Sequence, residues 1–158
     1  MAEPFVPDDF EVPSELWRPG MRLEPLGPDH NERDHEAWSS SIDHIRATPG
    51  FRASDADDDG DTPWPRPMSL EENLGDLQRH AADFVARRGF TYSVLDPDTD
   101  EVIGCVYIYP DTTLGGAHVT SWVRASDADL DRPLHDAVAA WLASDWPFLV
   151  SHDQGAEY

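Results

Sequence analysis

Residues 90–142 read FTYSVLDPDTDEVIGCVYIYPDTTLGGAHVTSWVRASDADLDRPLHDAVAAWL, and their patterning decides the fold. Phe90, Tyr92 and Val94 alternate with Thr91 and Ser93, the two-residue period of a strand with one face in a core. Asp96, Pro97 and Asp98 supply a turn. Val102–Tyr109 is apolar on both faces, which predicts a central strand with Val102, Val106 and Ile108 on one side and Ile103, Cys105, Tyr107 and Tyr109 on the other. Gly104 within it predicts a bulge or a close backbone approach. A third strand over Ala117–Val123 feeds the polar loop Arg124–Asp131. The helix that follows carries Leu134, Ala137, Val138, Trp141 and Leu142 on one face. Asp131 is placed to cap that helix, and Pro133 falls in its first turn, where a missing N–H costs little. A strand, a loop and a helix N-terminus in succession make a geometry that binds anions.

Outward from this stretch, residues 1–20 carry several prolines with Phe5, Val6, Phe10, Val12, Leu16 and Trp17, which predicts an extended arm pinned by its aromatics. Met21–Leu26 alternates and stops at Gly27 and Pro28, as a first strand does. Trp38, Ile42 and Ile45 recur at helical spacing within Asp34–Ala47, and 48–67, rich in Pro, Gly and Asp, reads as a mobile acidic loop. Ser69 and Glu72 spell a capping box. Leu70, Leu74, Leu77, Ala81 and Phe84 line one face of the helix it opens, and Gly89 closes that helix after Arg87 and Arg88. Residues 21–158 are therefore expected to form one domain after the arm, with a last strand-like segment at Phe148–Val150.

With 158 residues the chain is long enough to bury a core without disulfides. Its 11 basic residues, every one Arg, face 32 acidic ones, a net charge of -21. That balance argues against nucleic acid and against an acidic membrane surface, since both require a basic face. A small cationic partner is compatible with it, and so is a halophilic or GC-rich source, for which acidity reflects the solvent rather than a ligand. Cys105 has no second cysteine to pair with and sits in an apolar run, as a buried thiol in a reducing compartment does. The proline-broken acidic N-terminus is unlike a signal peptide and no apolar run reaches membrane-spanning length, so the expected location is cytoplasmic.

The order of elements, with two helices, a long hairpin and a strand ending in "SWVRAS" before an amphipathic helix, resembles the GCN5-related N-acetyltransferase family over about residues 21–150. The resemblance implies an α/β (α+β) fold, a mixed, mostly antiparallel sheet flanked by helices, here shortened at its C-terminal end. It also implies acetyl-CoA as cofactor. The backbone of Trp122, Val123 and Arg124 would meet the pantetheine arm, and the loop residues Ser126, Asp127, Asp129, Leu130 and Arg132 would lie at the pyrophosphate. Where the family carries glycines this loop has none, and it holds Asp127, Asp129 and Asp131 instead. A carboxylate a few ångströms from a phosphate repels it by about 1 kcal/mol in water and roughly 4 at an effective dielectric of 20, so binding of acetyl-CoA is expected to be weak or absent.

His118 lies on the strand where the resemblance places a general base, which would take a proton from an ammonium before the amine attacks a thioester. A partly exposed strand histidine without a role is the competing reading. Tyr107, Tyr109 and Trp122 would suit an acyl groove, or a core. Asp55, Asp57, Asp59 and Gly60 open a calcium-loop pattern, but Arg66 stands where a bidentate Glu belongs and prolines follow, so no metal site is assigned. The histidines show no zinc spacing, and Ser121, His118 and Asp111 lack a nucleophile elbow. Two functions follow: an acyl-CoA-dependent N-acyltransferase for a small cationic amine, or a non-catalytic protein of the same fold that binds a ligand or a protein. A truncated sheet leaves an edge, and either a homodimer through that edge or cover by the N-terminal arm is the expected way to satisfy it.

Overall fold

The hairpin at the centre of the sequence is the centre of the sheet. In a computed structural model, which describes residues 5–48, 67–110 and 116–147, the elements run β1 (Leu16–Arg18), β2 (Met21–Pro25), α1 (Asn31–Ser39), α2 (Ile42–Arg46), α3 (Leu70–Val85), β3 (Phe90–Leu95), β4 (Val102–Pro110), β5 (Ala117–Val123) and α4 (Asp131–Asp145). Short 3-10 turns at Pro28–His30 and Ala125–Leu130 precede α1 and α4. The five strands lie in chain order, and every pair is antiparallel. The mixed sheet that the sequence suggested is therefore purely antiparallel among the described residues; Phe148–Val150, the acidic segment 49–66 with its calcium-like spacing, and Asp111 lie outside them.

Two apolar layers sandwich the sheet. One face packs Phe90, Tyr92, Val94, Val106, Ile108, Val119 and Val123 against Leu134, Val138, Trp141 and Leu142 of α4, with Val6 and the flanks of Phe5, Phe10 and Val12 closing the layer. The other packs Leu95, Val102, Cys105 and Trp122 against Ala37 and Trp38 of α1, Ile45 of α2 and Leu77 of α3. Among the described residues no helix is long and apolar enough to cross a membrane.

Several sequence expectations are corrected in detail. Leu16–Arg18, expected within an extended arm, pairs with β2 through a turn in which Gly20 takes φ 79. Gly104 does mark a bulge: Val94 pairs with Gly104 and Leu95 with Val102, so Ile103 is the extra residue. A one-residue insertion exchanges faces, and Ile103 therefore joins the α4 layer while Val102 joins the α1 layer, the reverse of the strict alternation. Gly104 also permits a close approach, since a Cβ there would collide with the carbonyl oxygen of Trp122. The single helix expected over Asp34–Ala47 breaks at Ser40 and Ser41. Ser40 Oγ donates to the Ala37 carbonyl at 3.2 Å and Ser41 leaves the helical region at φ -134, ψ 22, the competition that serine offers a helix.

The capping box of α3 forms as expected, with Ser69 Oγ accepting the Glu72 amide at 3.1 Å and Glu72 accepting the Ser69 amide at 3.1 Å. Its end does not use Gly89 as a left-handed stop. Arg87 takes φ 62 there, its guanidinium donating to the Pro7 and Phe10 carbonyls, while a Cβ at Gly89 would overlap the Tyr109 ring unless that ring moved.

Candidate functional site

The sequence-derived site divides into two places along β5. At its end, Val123 is buried and pairs with Gly104, and Trp122 is buried with its indole N–H donating to the Tyr107 hydroxyl at 3.0 Å. Arg124 follows as the residue before the 3-10 turn. Its guanidinium is held by Asp127 and, at 3.2 Å, by Glu101. Burial works against the Arg124 charge, but the bonds to Asp127 and Glu101 outweigh it and hold its pKa above the ordinary value. Ser126 and Asp129 are exposed, Leu130 packs against the α4 layer, and Arg132 pairs with Asp136 at 3.2 Å.

Asp131 does not cap α4 as expected; it is the first residue of the helix, and its carboxylate meets His44 Nε2 at 2.9 Å. Burial raises the Asp131 pKa, with the bond to His44 opposing. The first amide of the turn, Ala125 N–H, donates to Ser41 Oγ at 2.8 Å, and the Asp127 amide donates to the Arg124 carbonyl at 2.9 Å. Acyl-CoA, the cofactor the fold implies, would meet a poor pyrophosphate site in this turn. Two amides that could meet a pyrophosphate are committed internally, the nearest guanidinium is already neutralised by two carboxylates, and further carboxylates flank it.

The other place is a cleft of about 380 Å³ between α1, α3 and the sheet, lined by Leu26, Asp34, Asn73, Asp76, Leu77, Arg79, His80, Tyr107, Tyr109 and Thr120. Helical spacing builds one wall, because Asn73, Asp76, Leu77 and His80 follow one another on the same stripe of α3. Sheet register builds the floor. Tyr107 stands opposite Thr120 and Tyr109 opposite His118, so His118 lies on the same sheet face beside Tyr109, though it is not one of the lining residues.

The polar groups are tied together. Trp38 Nε1 donates to Asn73 Oδ1 at 3.1 Å, and Asn73 Nδ2 donates to Asp34 Oδ2 at 3.0 Å. Asp34 is 4% exposed, and burial pushes its pKa up to about 6 while the Asn73 bond works against the rise. Burial first, and the neighbouring Arg79 charge second, pull His80 down to about 4. Burial likewise pushes Tyr109 up to about 12, so its hydroxyl keeps its proton. The charged lining of the cleft is Asp34 together with Asp76 and Arg79, which pair with each other at 3.5 Å, and Tyr107 and Tyr109 lie at its floor.

The sequence reading found Tyr107, Tyr109 and His118 but missed Asp34, Asn73, Asp76 and His80. A signal was present: Asn73 and His80 fall on the inward stripe of α3 beside Leu77, where apolar residues are the rule. Among the described residues no group of three or more His, Cys, Asp or Glu side chains is placed to hold a metal.

No family model matches the sequence, and no curated protein matches it. Solved structures do. The ribosomal-protein-S5-alanine acetyltransferase of Vibrio fischeri aligns at TM-score 0.59 and 12% identity over 81% of this chain and 66% of its own. The microcin C7 self-immunity acetyltransferase MccE, solved with acetyl-CoA and AMP, aligns at 0.62 and 10% over 84% and 66%. The GNAT domain of S. lividans PAT aligns at 0.53 and 20% over 82% and 73%. The chain thus spans about two thirds of the length of the first two and has the GCN5-related N-acetyltransferase fold.

Proposed function

We propose that the chain is an N-acyltransferase-like protein whose acceptor is a small cationic amine, seated between Asp34, Asp76 and His80 over the rings of Tyr107 and Tyr109. The observation that carries this reading is the acidic, aromatic-floored cleft on the face of β5 that also bears His118. Asp34 would attract the ammonium, and Tyr107 and Tyr109 would add cation–π contact, worth about 0.5–2 kcal/mol by how far the site is desolvated. An amine attacks only as the neutral base. With its pKa near 6, Asp34 is the better matched proton acceptor of the two cleft groups, since His80 near 4 lies further from an ammonium. His118 is the acceptor for an amine that reaches the rim.

A second reading, a non-catalytic protein that keeps the amine cleft and has lost the cofactor, is favoured by the Ser41–Ala125 bond and by the engagement of Arg124 with Asp127 and Glu101. Calorimetric titration of acetyl-CoA into the unmodified chain, Asp129→Gly and Arg124→Ala separates the two. Under the acyltransferase reading the unmodified chain binds weakly, the glycine variant binds more tightly and the alanine variant less. Absence of heat from all three supports the non-catalytic reading.

A further inference from the structure

Three side chains at the cleft form a row. The Tyr109 hydroxyl donates to Asp83 Oδ2 at 2.9 Å, and its oxygen lies 2.8 Å from His80 Nδ1. A phenol has one proton to give. With that proton on the carboxylate, the oxygen can meet Nδ1 only as an acceptor, so Nδ1 must carry the ring hydrogen. Thr91 Oγ1, 3.1 Å from the same nitrogen, is placed as a second acceptor. Nε2, on the far edge of the ring, then bears a lone pair, and among the described residues no group hydrogen-bonds to it. Burial keeps the ring neutral at pH 7, so its two nitrogens are chemically distinct.

We propose that Asp83 and Tyr109 lock His80 in the Nδ1–H tautomer, so that Nε2 offers the cleft a hydrogen-bond acceptor and selects cations that carry an N–H. The ligand class rests on the amine reading above; the tautomer does not. Aromatic walls alone accept quaternary ammonium as readily as primary, whereas a lone pair on Nε2, like the carboxylates of the lining, rewards only an N–H donor. The part of that selectivity that is lost in Asp83→Asn is therefore the signature of the lock. Asp83 touches no ligand in this scheme and is a positioning residue, acting through Tyr109.

The test is long-range ¹H–¹⁵N correlation on the full chain labelled in its histidines, at pH 7 without ligand. His80 is expected to show a pyrrole-like Nδ1 and a pyridine-like Nε2. In Asp83→Asn the side-chain amide can donate to the Tyr109 oxygen, the phenol proton turns to Nδ1 and the ring is expected to switch to Nε2–H. Tyr109→Phe removes the nearer acceptor and leaves Thr91 Oγ1, a hydroxyl that can equally donate to Nδ1, so the ring is expected to shift toward Nε2–H. Arg88→Ala removes the two-pronged contact with Asp83 Oδ1, at 3.0 and 3.1 Å, leaves Asp83 Oδ2 to Tyr109 and should leave the tautomer unchanged. In parallel, n-butylammonium should bind the unmodified chain and lose about tenfold in Asp83→Asn, one hydrogen bond's worth, while butyltrimethylammonium binds weakly to both. An Nε2–H or charged His80 in the unmodified chain, or a tautomer indifferent to Asp83→Asn and Tyr109→Phe, overturns the lock. The stated tautomer together with equal binding of the two cations, or with binding of neither, overturns the ligand class and leaves the lock standing.

Discussion

Ser41 Oγ accepts the Ala125 amide at 2.8 Å, so the residue that breaks α1 from α2 also closes the turn after β5. One hydroxyl joins two segments 84 positions apart and takes the donor that this fold's anion site would begin with. Ser41→Ala should cost about 1 kcal/mol of stability, the value of a side-chain cap, and Ser41→Thr should restore it. Thermal melts of the two variants check this. An alanine variant as stable as the parent would mean that the amide finds water at no cost.

The two close-packed glycines should fail differently. Gly104→Ala drives a Cβ into the Trp122 carbonyl, which is held by the β4–β5 ladder and cannot turn away, so a loss of 1–3 kcal/mol or more is expected in urea melts, as for other overpacked sites. Gly89→Ala meets only the Tyr109 ring, which can move. Its cost in stability should be smaller, but a displaced Tyr109 leaves His80 and Asp83, and amine binding should fall with it.

Stability against pH carries two opposed contributions. Asp34 is raised from 3.8 to about 6, so its contribution is fully present below pH 3.8 and is lost as pH rises to about 6. His80 is lowered from 6.5 to about 4, so its contribution is present above 6.5 and is lost as pH falls to about 4. Each shift corresponds to about 3 kcal/mol, so across pH 4–6 they largely offset one another. Asp34→Asn removes the first alone. Its urea midpoint should rise with pH across that window more steeply than the parent's. Parallel pH profiles would show that Asp34 is not perturbed by burial.

Charge should make the protein salt-requiring. A net charge of -21 on a chain of this size repels itself, and salt shortens that repulsion to about 8 Å at 0.15 M. The melting midpoint is expected to climb from low to molar KCl; a midpoint independent of salt contradicts it.

The pairing of β3 with β4, the capping box of α3 and the bounds of β5 were legible because each rests on local periodicity, a short turn or a local polar pair. What was not legible depends on register. The bulge at Ile103 exchanges two side chains between layers, and nothing in the residues 102–104 fixes which strand position is skipped. Asp131 reads as a cap because it precedes Pro133 and Leu134, but a histidine 87 positions earlier claims its carboxylate. The same holds for the cleft: Asp34, His80 and Tyr109 belong to three segments, and only the packing of α1 and α3 over β4 brings them to one place. The loop's carboxylates were legible, whereas their internal partners were not.

Asp34 is the group proposed to hold a cation in the cleft, and titration of putrescine into the unmodified chain and Asp34→Asn at pH 7.5 tests that most directly. The prediction is measurable binding that weakens about tenfold or more in the asparagine variant, and that strengthens in the parent as pH rises through 6. Equal affinity of the two proteins, or no binding by the parent at any pH from 5 to 8, would contradict it.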